Sequence, residues 1–192
     1  MKLFCPLVLA LCGNLVVASS FAQFADAVIA YTPGAGVSSS YTNPISALGE
    51  PSRVTPGNFG GPVDPFNSAY IASQLVSVGT GGSLTLHFGT PITNNPANPF
   101  GLDFIIFGDA GFAITNGDYS GGGITDGSMY GNNTGSTRVS VSADGATFYT
   151  LDPALAPTAD NLFPTDGVGN FFLPVNPNLA ASAFSGPERA WW

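Results

Sequence analysis

Three aspartates in one glycine-rich stretch are the residues best suited to hold a metal ion. Asp109, Asp118 and Asp126 lie within Gly108–Ser136, a run rich in Gly, Ser and Asn that predicts a long loop. Carboxylates on turns suit calcium, which takes roughly six to eight oxygen ligands. The spacing matches neither an EF-hand loop nor the glycine-aspartate nonapeptide repeat. Two interpretations therefore stay open, a calcium site and a solvated acidic loop.

Tyrosines near these aspartates could bind a sugar. Carbohydrate-binding β domains stack sugar rings on exposed aromatic side chains and fix the hydroxyls with Asp, Asn and Arg. The alternative is that the tyrosines cover the edge of the core, because a tyrosine ring is apolar with one polar tip. The candidate ligand-binding residues are Tyr119, Tyr130, Arg138 and Tyr149.

His87 is the only histidine, and the sequence gives it no partner, so we expect a surface residue rather than a base or a ligand. Serine hydrolysis needs a base with an orienting partner, and no Gly-x-Ser-x-Gly motif occurs. A catalytic zinc ion would lack protein ligands, because the chain has one histidine and both cysteines lie in the first 22 residues. The twelve Asp and Glu leave room for a carboxylate pair of the glycosidase kind. The sequence predicts no enzyme.

Residues 1–22 have the layout of a secretory signal peptide, with Lys2, an apolar stretch from Leu3 to Val17 and small residues before Gln23. The apolar stretch is too short to span a bilayer comfortably, so we expect cleavage and no transmembrane segment afterwards. Both cysteines, Cys5 and Cys12, fall in this leader. The mature chain would then have no disulfide and no thiolate site.

The composition excludes nucleic acid as a partner. Only 8% of the 192 residues are charged, and the formal net charge is −8. A phosphate backbone needs a basic footprint, which three scattered arginines and one lysine do not supply. Extracellular polysaccharide, a cation or another surface protein remains as a partner.

The elements that must position these residues are predicted to be strands. Leu102–Phe107 holds the densest set of large apolar residues after the leader, so we expect a central strand buried on both faces. Its Asp103 would then sit at the strand edge, with the carboxylate on loop amides or a cation. Ser83–Phe88 alternates apolar and polar residues, which is typical of a half-buried strand. Further short strands are expected at Ala27–Tyr31 and Gln74–Val78.

Asp144-Gly145 is a preferred two-residue hairpin turn between two β-rich runs, Arg138–Ser142 and Thr147–Leu151. That turn predicts a register in which Val141 faces Phe148 and Val139 faces Thr150 on the inward side. Ser140 and Tyr149 would point outward.

The whole pattern predicts one all-β domain over residues 23–192, an antiparallel β-sandwich of the jelly-roll kind. Gly, Pro and Asn make Tyr41–Pro65 a long surface loop, either a ligand surface or a cap over one end. Two more apolar patches follow at Asn170–Val175 and Ala180–Phe184. The chain then stops at two tryptophans without a closing polar segment, which indicates C-terminal truncation.

Three stretches together carry a resemblance to a known group: Ala47–Pro51, Gly81–Phe88 followed by Gly101–Phe107, and Val139–Gly145. They resemble exported bacterial cell-surface proteins, many with a PEP-CTERM sorting tail, whose main domain is similar to a jelly-roll or galactose-binding-like sandwich. The resemblance implies no catalytic residues. Low charge, high Gly, Ser and Asn content and the lack of a catalytic set favour a structural or adhesive role in the envelope or extracellular matrix, with carbohydrate binding as the alternative. Pro187-Glu188 is followed by Arg189 and two tryptophans, so the sorting tail is not present.

Overall fold

The computed structural model describes residues 24–58, 60–63, 66–98, 101–109, 111–118, 124–130 and 137–152. The predicted signal peptide and the two C-terminal apolar patches lie outside these ranges. The described residues form short strands, two 3-10 helices and connecting turns, with no α-helix among them. This agrees with the all-β prediction. Within the same ranges, no helix has the length and apolar character that a bilayer crossing requires.

Within the described ranges, eight strands make four separate antiparallel pairs, β1 with β4, β2 with β3, β5 with β6 and β7 with β8. Their bounds are β1 Ala27–Thr32, β2 Val54–Thr55, β3 Gly61–Pro62, β4 Ser83–His87, β5 Gly111–Phe112, β6 Met129–Tyr130, β7 Ser140–Val141 and β8 Tyr149–Thr150. The 3-10 helices are Ser39–Tyr41 and Pro44–Ala47.

The longest pair, β1 with β4, confirms two of the predicted strands. Thr32 lies opposite Ser83 and Ala27 opposite His87, with one irregularity between Val28 and Ala30. That irregularity leaves Ile29 as an extra residue, a β-bulge, and its side chain is exposed. The residues whose alternation predicted a strand therefore do form one, β4, and it pairs with β1.

The prediction of a buried central strand at Leu102–Phe107 is wrong. These residues form no strand, and Ile106 is 66% exposed. The carboxylate of Asp103 does bind amides of a loop, which is one of the two alternatives predicted for it. Its Oδ1 accepts hydrogen bonds from Asn95 N at 2.9 Å and Asn98 Nδ2 at 3.0 Å. These bonds tie the run to the preceding Asn/Pro turn, and its apolar residues are half-buried or, at Ile106, exposed.

Part of the core lies instead where the sequence predicts a surface loop, at the end of Tyr41–Pro65 and just beyond it. Among the described residues, Val63, Phe66 and Ala69 are buried there, and Ala25 and Phe112 are buried elsewhere in the chain. Thr55 is only 1% exposed, and its hydroxyl donates to Gln74 Oε1 at 3.1 Å. A buried hydroxyl that keeps a hydrogen bond avoids most of its desolvation cost.

Gln74 supports this core from outside any strand. Its Nε2 donates to Val54 O at 2.9 Å, so one side chain bonds both residues of β2. The predicted strand Gln74–Val78 does not form. Its backbone joins neighbouring loops instead, with Ser77 N donating to Tyr41 O at 2.8 Å and Gly34 N to Val78 O at 2.7 Å.

The stretch Gly108–Ser136, predicted as loop, contains a ribbon. Gly111 of β5 lies opposite Tyr130 of β6. Ala113 N continues the pairing by donating to Ser128 O at 2.8 Å, and Thr115 N donates to Ile124 O at 2.9 Å. Two-residue strands are too short to show a period of two, which is why the sequence pattern missed them.

The hairpin β7–β8 forms where predicted, but its register differs by one residue. Val141 faces Tyr149 rather than Phe148, and Ser140 faces Thr150. Asp144 causes the slip, because its Oδ1 accepts from Ala146 N at 2.9 Å and from Thr147 N at 2.7 Å. The turn therefore extends beyond Asp144-Gly145.

In the observed register, polar residues lie opposite polar residues, and apolar residues lie opposite apolar or aromatic ones. Ser140 and Thr150 share a hydrogen bond of 3.1 Å between their hydroxyls, and Val139 O accepts from Leu151 N at 2.9 Å. A one-residue slip moves each side chain of one strand to the other face of the pair. One face of the hairpin consequently carries only apolar and aromatic residues, which we call the hairpin face: Val139, Val141, Tyr149 and Leu151.

Candidate functional site

An aromatic cluster joins the core to the β5–β6 ribbon. The rings of Phe66 and Phe112 lie 5.9 Å apart between centroids, tilted by 49°. Both side chains are buried. A pocket of about 280 Å³ opens beside them, and Ala113, Ile114 and Tyr130 complete its lining. Three stretches of the chain that are distant in sequence therefore build one concave surface.

Tyr130, a predicted ligand-binding residue, forms the rim of this pocket and is 43% exposed. Its hydroxyl donates to Phe66 O at 2.8 Å and lies 3.5 Å from Ser68 N. Its ring lies directly over Gly111, where an added Cβ would be 2.5 Å from the tyrosine oxygen. These contacts favour the alternative that this tyrosine covers the edge of the core, and they also leave part of it in contact with solvent.

Two other predicted ligand residues lie on the hairpin, where the register separates them. Tyr149 is 66% exposed on the hairpin face. Arg138 directly precedes Val139, so the alternation of strand side chains puts it toward the opposite face. The predicted register would have put both on one side. The fourth predicted residue, Tyr119, lies outside the described residues.

The three aspartates of the calcium prediction all lie in the described part of the chain. Asp109 and Asp126 are exposed, and Asp118 is half-buried. Hydrogen bonds from the side chain and the backbone of Ser128 lower the pKa of Asp126. Among the described residues, no three His, Cys, Asp or Glu side chains are grouped so that they could hold a metal ion. Calcium binding stays a prediction.

His87 has a partner that the sequence did not reveal. Its Nδ1 lies 2.7 Å from Oδ1 of Asp26, and both side chains are largely exposed. The hydrogen bond to His87 is the main cause that lowers the pKa of Asp26, and the backbone of Gly89 lowers it further. Because an ionised carboxylate only accepts, the imidazole carries its proton on Nδ1 and presents Nε2 to solvent. This is an oriented imidazole of the kind used as a base or ligand.

Comparisons with protein families, curated proteins and solved structures return no match for the chain. Function must therefore be argued from the side chains themselves.

Sequence reasoning missed Phe66, Phe112 and Asp26. Phe66 follows the predicted loop, and Phe112 begins an apolar run of only three residues within a stretch predicted as loop. Asp26 directly precedes β1, and the pairing of Ala27 with His87 is what brings it to the histidine. This contact could be predicted only if β1 were known to pair with β4. Alternation within one strand does not identify the partner strand.

Proposed function

We propose that the chain is an exported, non-catalytic β-sandwich protein of the bacterial cell surface, with a structural or adhesive role in the envelope or extracellular matrix. Cleavage before Gln23 releases it from its leader. The resemblance to exported surface proteins supports the location. Low charge, a single histidine and cysteines confined to the leader support the non-catalytic role.

The observation that carries the adhesive role is the hairpin face. Tyr149 is 66% exposed, and Val141 and Leu151 beside it are exposed as well. Covering apolar surface contributes about 25 cal/mol per Å² removed from water. A contiguous apolar face on a polar-edged hairpin is the kind of surface that gains most when another macromolecule covers it.

Two neighbouring aromatic residues provide a matched test. Tyr149 lies on the hairpin face, and Phe148, which is 50% exposed, lies on the other face. Co-sedimentation of the full chain with isolated bacterial envelopes should fall several-fold for Tyr149→Ser and stay unchanged for Phe148→Ser. Equal loss in both variants, or no binding by the wild type, would contradict the proposal.

Carbohydrate binding is the second candidate, and the aromatic pocket at Tyr130 favours it. Exposed aromatic rings beside hydroxyl and amide groups are suited to sugars, since a ring presents an apolar face and a polar edge. The calcium of this candidate is tested separately, because Asp109, Asp118 and Asp126 are not grouped as one metal site in the described structure. A thermal unfolding transition of the full chain that rises with calcium and falls with a chelator would support this part, because only native-state binding raises it.

A further inference from the structure

We propose that the pocket bounded by Phe66, Phe112, Ile114 and Tyr130 binds one neutral pyranose ring, with the apolar ring face against the aromatic lining and the hydroxyls toward solvent. The inference rests on the carbohydrate-binding candidate and deepens it, because it names a subsite and the kind of ring. Three of these residues were not among the candidates that the sequence suggested.

The described part of the lining favours a neutral ligand. Among the described residues, two phenylalanines, an alanine, an isoleucine and a tyrosine line the pocket, and none of these five carries a charge. A charged group moved from water against these side chains loses hydration without gaining a partner from them. We therefore expect a neutral ligand.

The size of the pocket selects a single ring. Its volume is about 280 Å³. A dry cavity of roughly 150 Å³ already holds benzene, and drug-sized ligands occupy pockets from roughly 300 Å³ upward. One six-membered ring with its substituents fits this interval, and an extended chain of rings would have to continue outside the pocket.

The opening of the pocket favours a sugar over a purely apolar ring. Phe66 and Phe112 are buried at its base, whereas Tyr130 at the rim is 43% exposed. A purely apolar ligand would leave one of its own faces in water and lose that part of the hydrophobic gain. A pyranose with equatorial hydroxyls offers axial C–H groups to the lining and keeps its hydroxyls at the solvent side.

The rim is already held in place before a ligand arrives. The hydroxyl of Tyr130 is fixed on Phe66 O at 2.8 Å, and its ring is packed over Gly111. Only Ser68 N, at 3.5 Å, approaches the tyrosine oxygen as a donor within the described structure. That oxygen can still accept from a sugar hydroxyl, and little side-chain freedom remains to be lost on binding.

Ligand-observed saturation-transfer NMR on the full chain tests this with methyl β-D-glucopyranoside as the probe. Sorbitol, which has the hydroxyls but no ring face, is the polar control, and benzyl alcohol is the apolar one. We expect saturation of the axial ring protons of the glucoside, no transfer to sorbitol, and weaker transfer to benzyl alcohol. Transfer to benzyl alcohol without transfer to the glucoside would overturn the inference.

Ile114→Ala removes part of the lining, and Ile124→Ala is its matched control, since Ile124 is exposed on the facing segment and does not line the pocket. Glucoside affinity should fall at least about fivefold in Ile114→Ala and not in Ile124→Ala. Thermal unfolding of both variants checks that each is folded. Glycan binding that Ile114→Ala leaves unchanged but Tyr149→Ser abolishes would overturn the subsite and keep the carbohydrate function. Absence of binding to any glycan in a broad panel would overturn both.

Discussion

The β5–β6 ribbon and the β7–β8 hairpin are built alike and held differently. Each consists of two antiparallel strands of two residues. The ribbon is held from outside, because Tyr130 bonds to Phe66 and packs beside it across 64 positions of the sequence. The hairpin is held from within, because Asp144 accepts from Ser142, Ala146 and Thr147.

The two elements therefore differ in what stabilises them and in how much apolar surface they leave exposed. Packing of Phe66 against Phe112 and Tyr130 covers part of the apolar surface of the ribbon and leaves a pocket beside it. Local hydrogen bonds order the hairpin turn without covering its apolar face, which stays free to bind. An isolated two-stranded hairpin is at best marginally stable in water, so the local bonds of Asp144 matter more here than they would within a larger sheet.

The largest effect is expected from Gly111→Ala. A methyl group there would lie 2.5 Å from the hydroxyl oxygen of Tyr130, so the ring must leave its place over the ribbon. Displacing a packed aromatic ring costs roughly 1–3 kcal/mol. Chemical denaturation of the full chain measures this loss in the free energy of unfolding. Gly108→Ala is the matched control, because nothing lies within 4 Å of its added Cβ. Equal unfolding free energies for the two variants would show that the ribbon does not depend on the packing of Tyr130.

A smaller effect is expected from Tyr130→Phe. This substitution keeps the ring and removes the hydrogen bond of 2.8 Å to Phe66 O, which contributes about 1 kcal/mol. Tyr149→Phe removes a hydroxyl for which no partner is found among the described residues, so its unfolding free energy should match the wild type. If both substitutions cost the same, the ribbon does not depend on its link to Phe66.

The hairpin should lose stability in acid, because its turn depends on the carboxylate of Asp144. Hydrogen bonds from Thr147 N, Ala146 N and the Ser142 hydroxyl lower the pKa of Asp144 from 3.8 to about 2. Because the folded pKa is lowered, the stabilisation is present above pH 3.8 and is lost as the pH falls through about 2. Amide NMR signals of the hairpin should therefore report opening over that interval.

Asp144→Asn keeps an acceptor oxygen without the charge, so its hairpin should be weaker at neutral pH and insensitive to acid. Asp109→Asn removes the same charge away from the hairpin and serves as the control. An acid response that survives in Asp144→Asn would show that another group controls the turn.

The smallest effect concerns the pair of Asp26 with His87, a local polar contact on the β1–β4 pair. Since the chain has one histidine, its imidazole NMR signals need no assignment. Neutral His87 should carry its proton on Nδ1 in the wild type and shift toward Nε2 in Asp26→Ala, with Asp109→Ala as control. An unchanged tautomer would mean that the 2.7 Å contact does not persist in solution.

The sequence was most informative where a strand was long enough to show its period. Alternation over Ser83–Phe88 predicted β4, and the run Ala27–Tyr31 predicted β1. Asp144-Gly145 correctly located the hairpin, but the turn type was wrong because the acceptor capacity of the Asp144 side chain lengthened the loop. A one-residue difference then reassigned the faces of Arg138 and Tyr149.

The core and the pocket could not be predicted for a different reason. Thr55, Phe66 and Phe112 lie outside any long apolar run, and Phe66 and Phe112 pack against each other from distant segments of the chain. Conversely, the apolar run Leu102–Phe107 forms no strand and is half-buried or exposed, and Asp103 within it bonds to the preceding turn. Of the candidate ligand residues, only Tyr130 reaches the pocket, and its phenylalanine neighbours carried no sequence signal.

We propose that the hairpin face contacts other macromolecules at the cell surface, whereas the pocket at the β5–β6 ribbon takes a single sugar ring. Amide hydrogen exchange of the full chain, with and without isolated bacterial envelopes, tests it directly. The account predicts added protection in peptides covering residues 137–152 and unchanged exchange in those covering β1 and β4. Protection confined to β5 and β6, or no change anywhere, would contradict it.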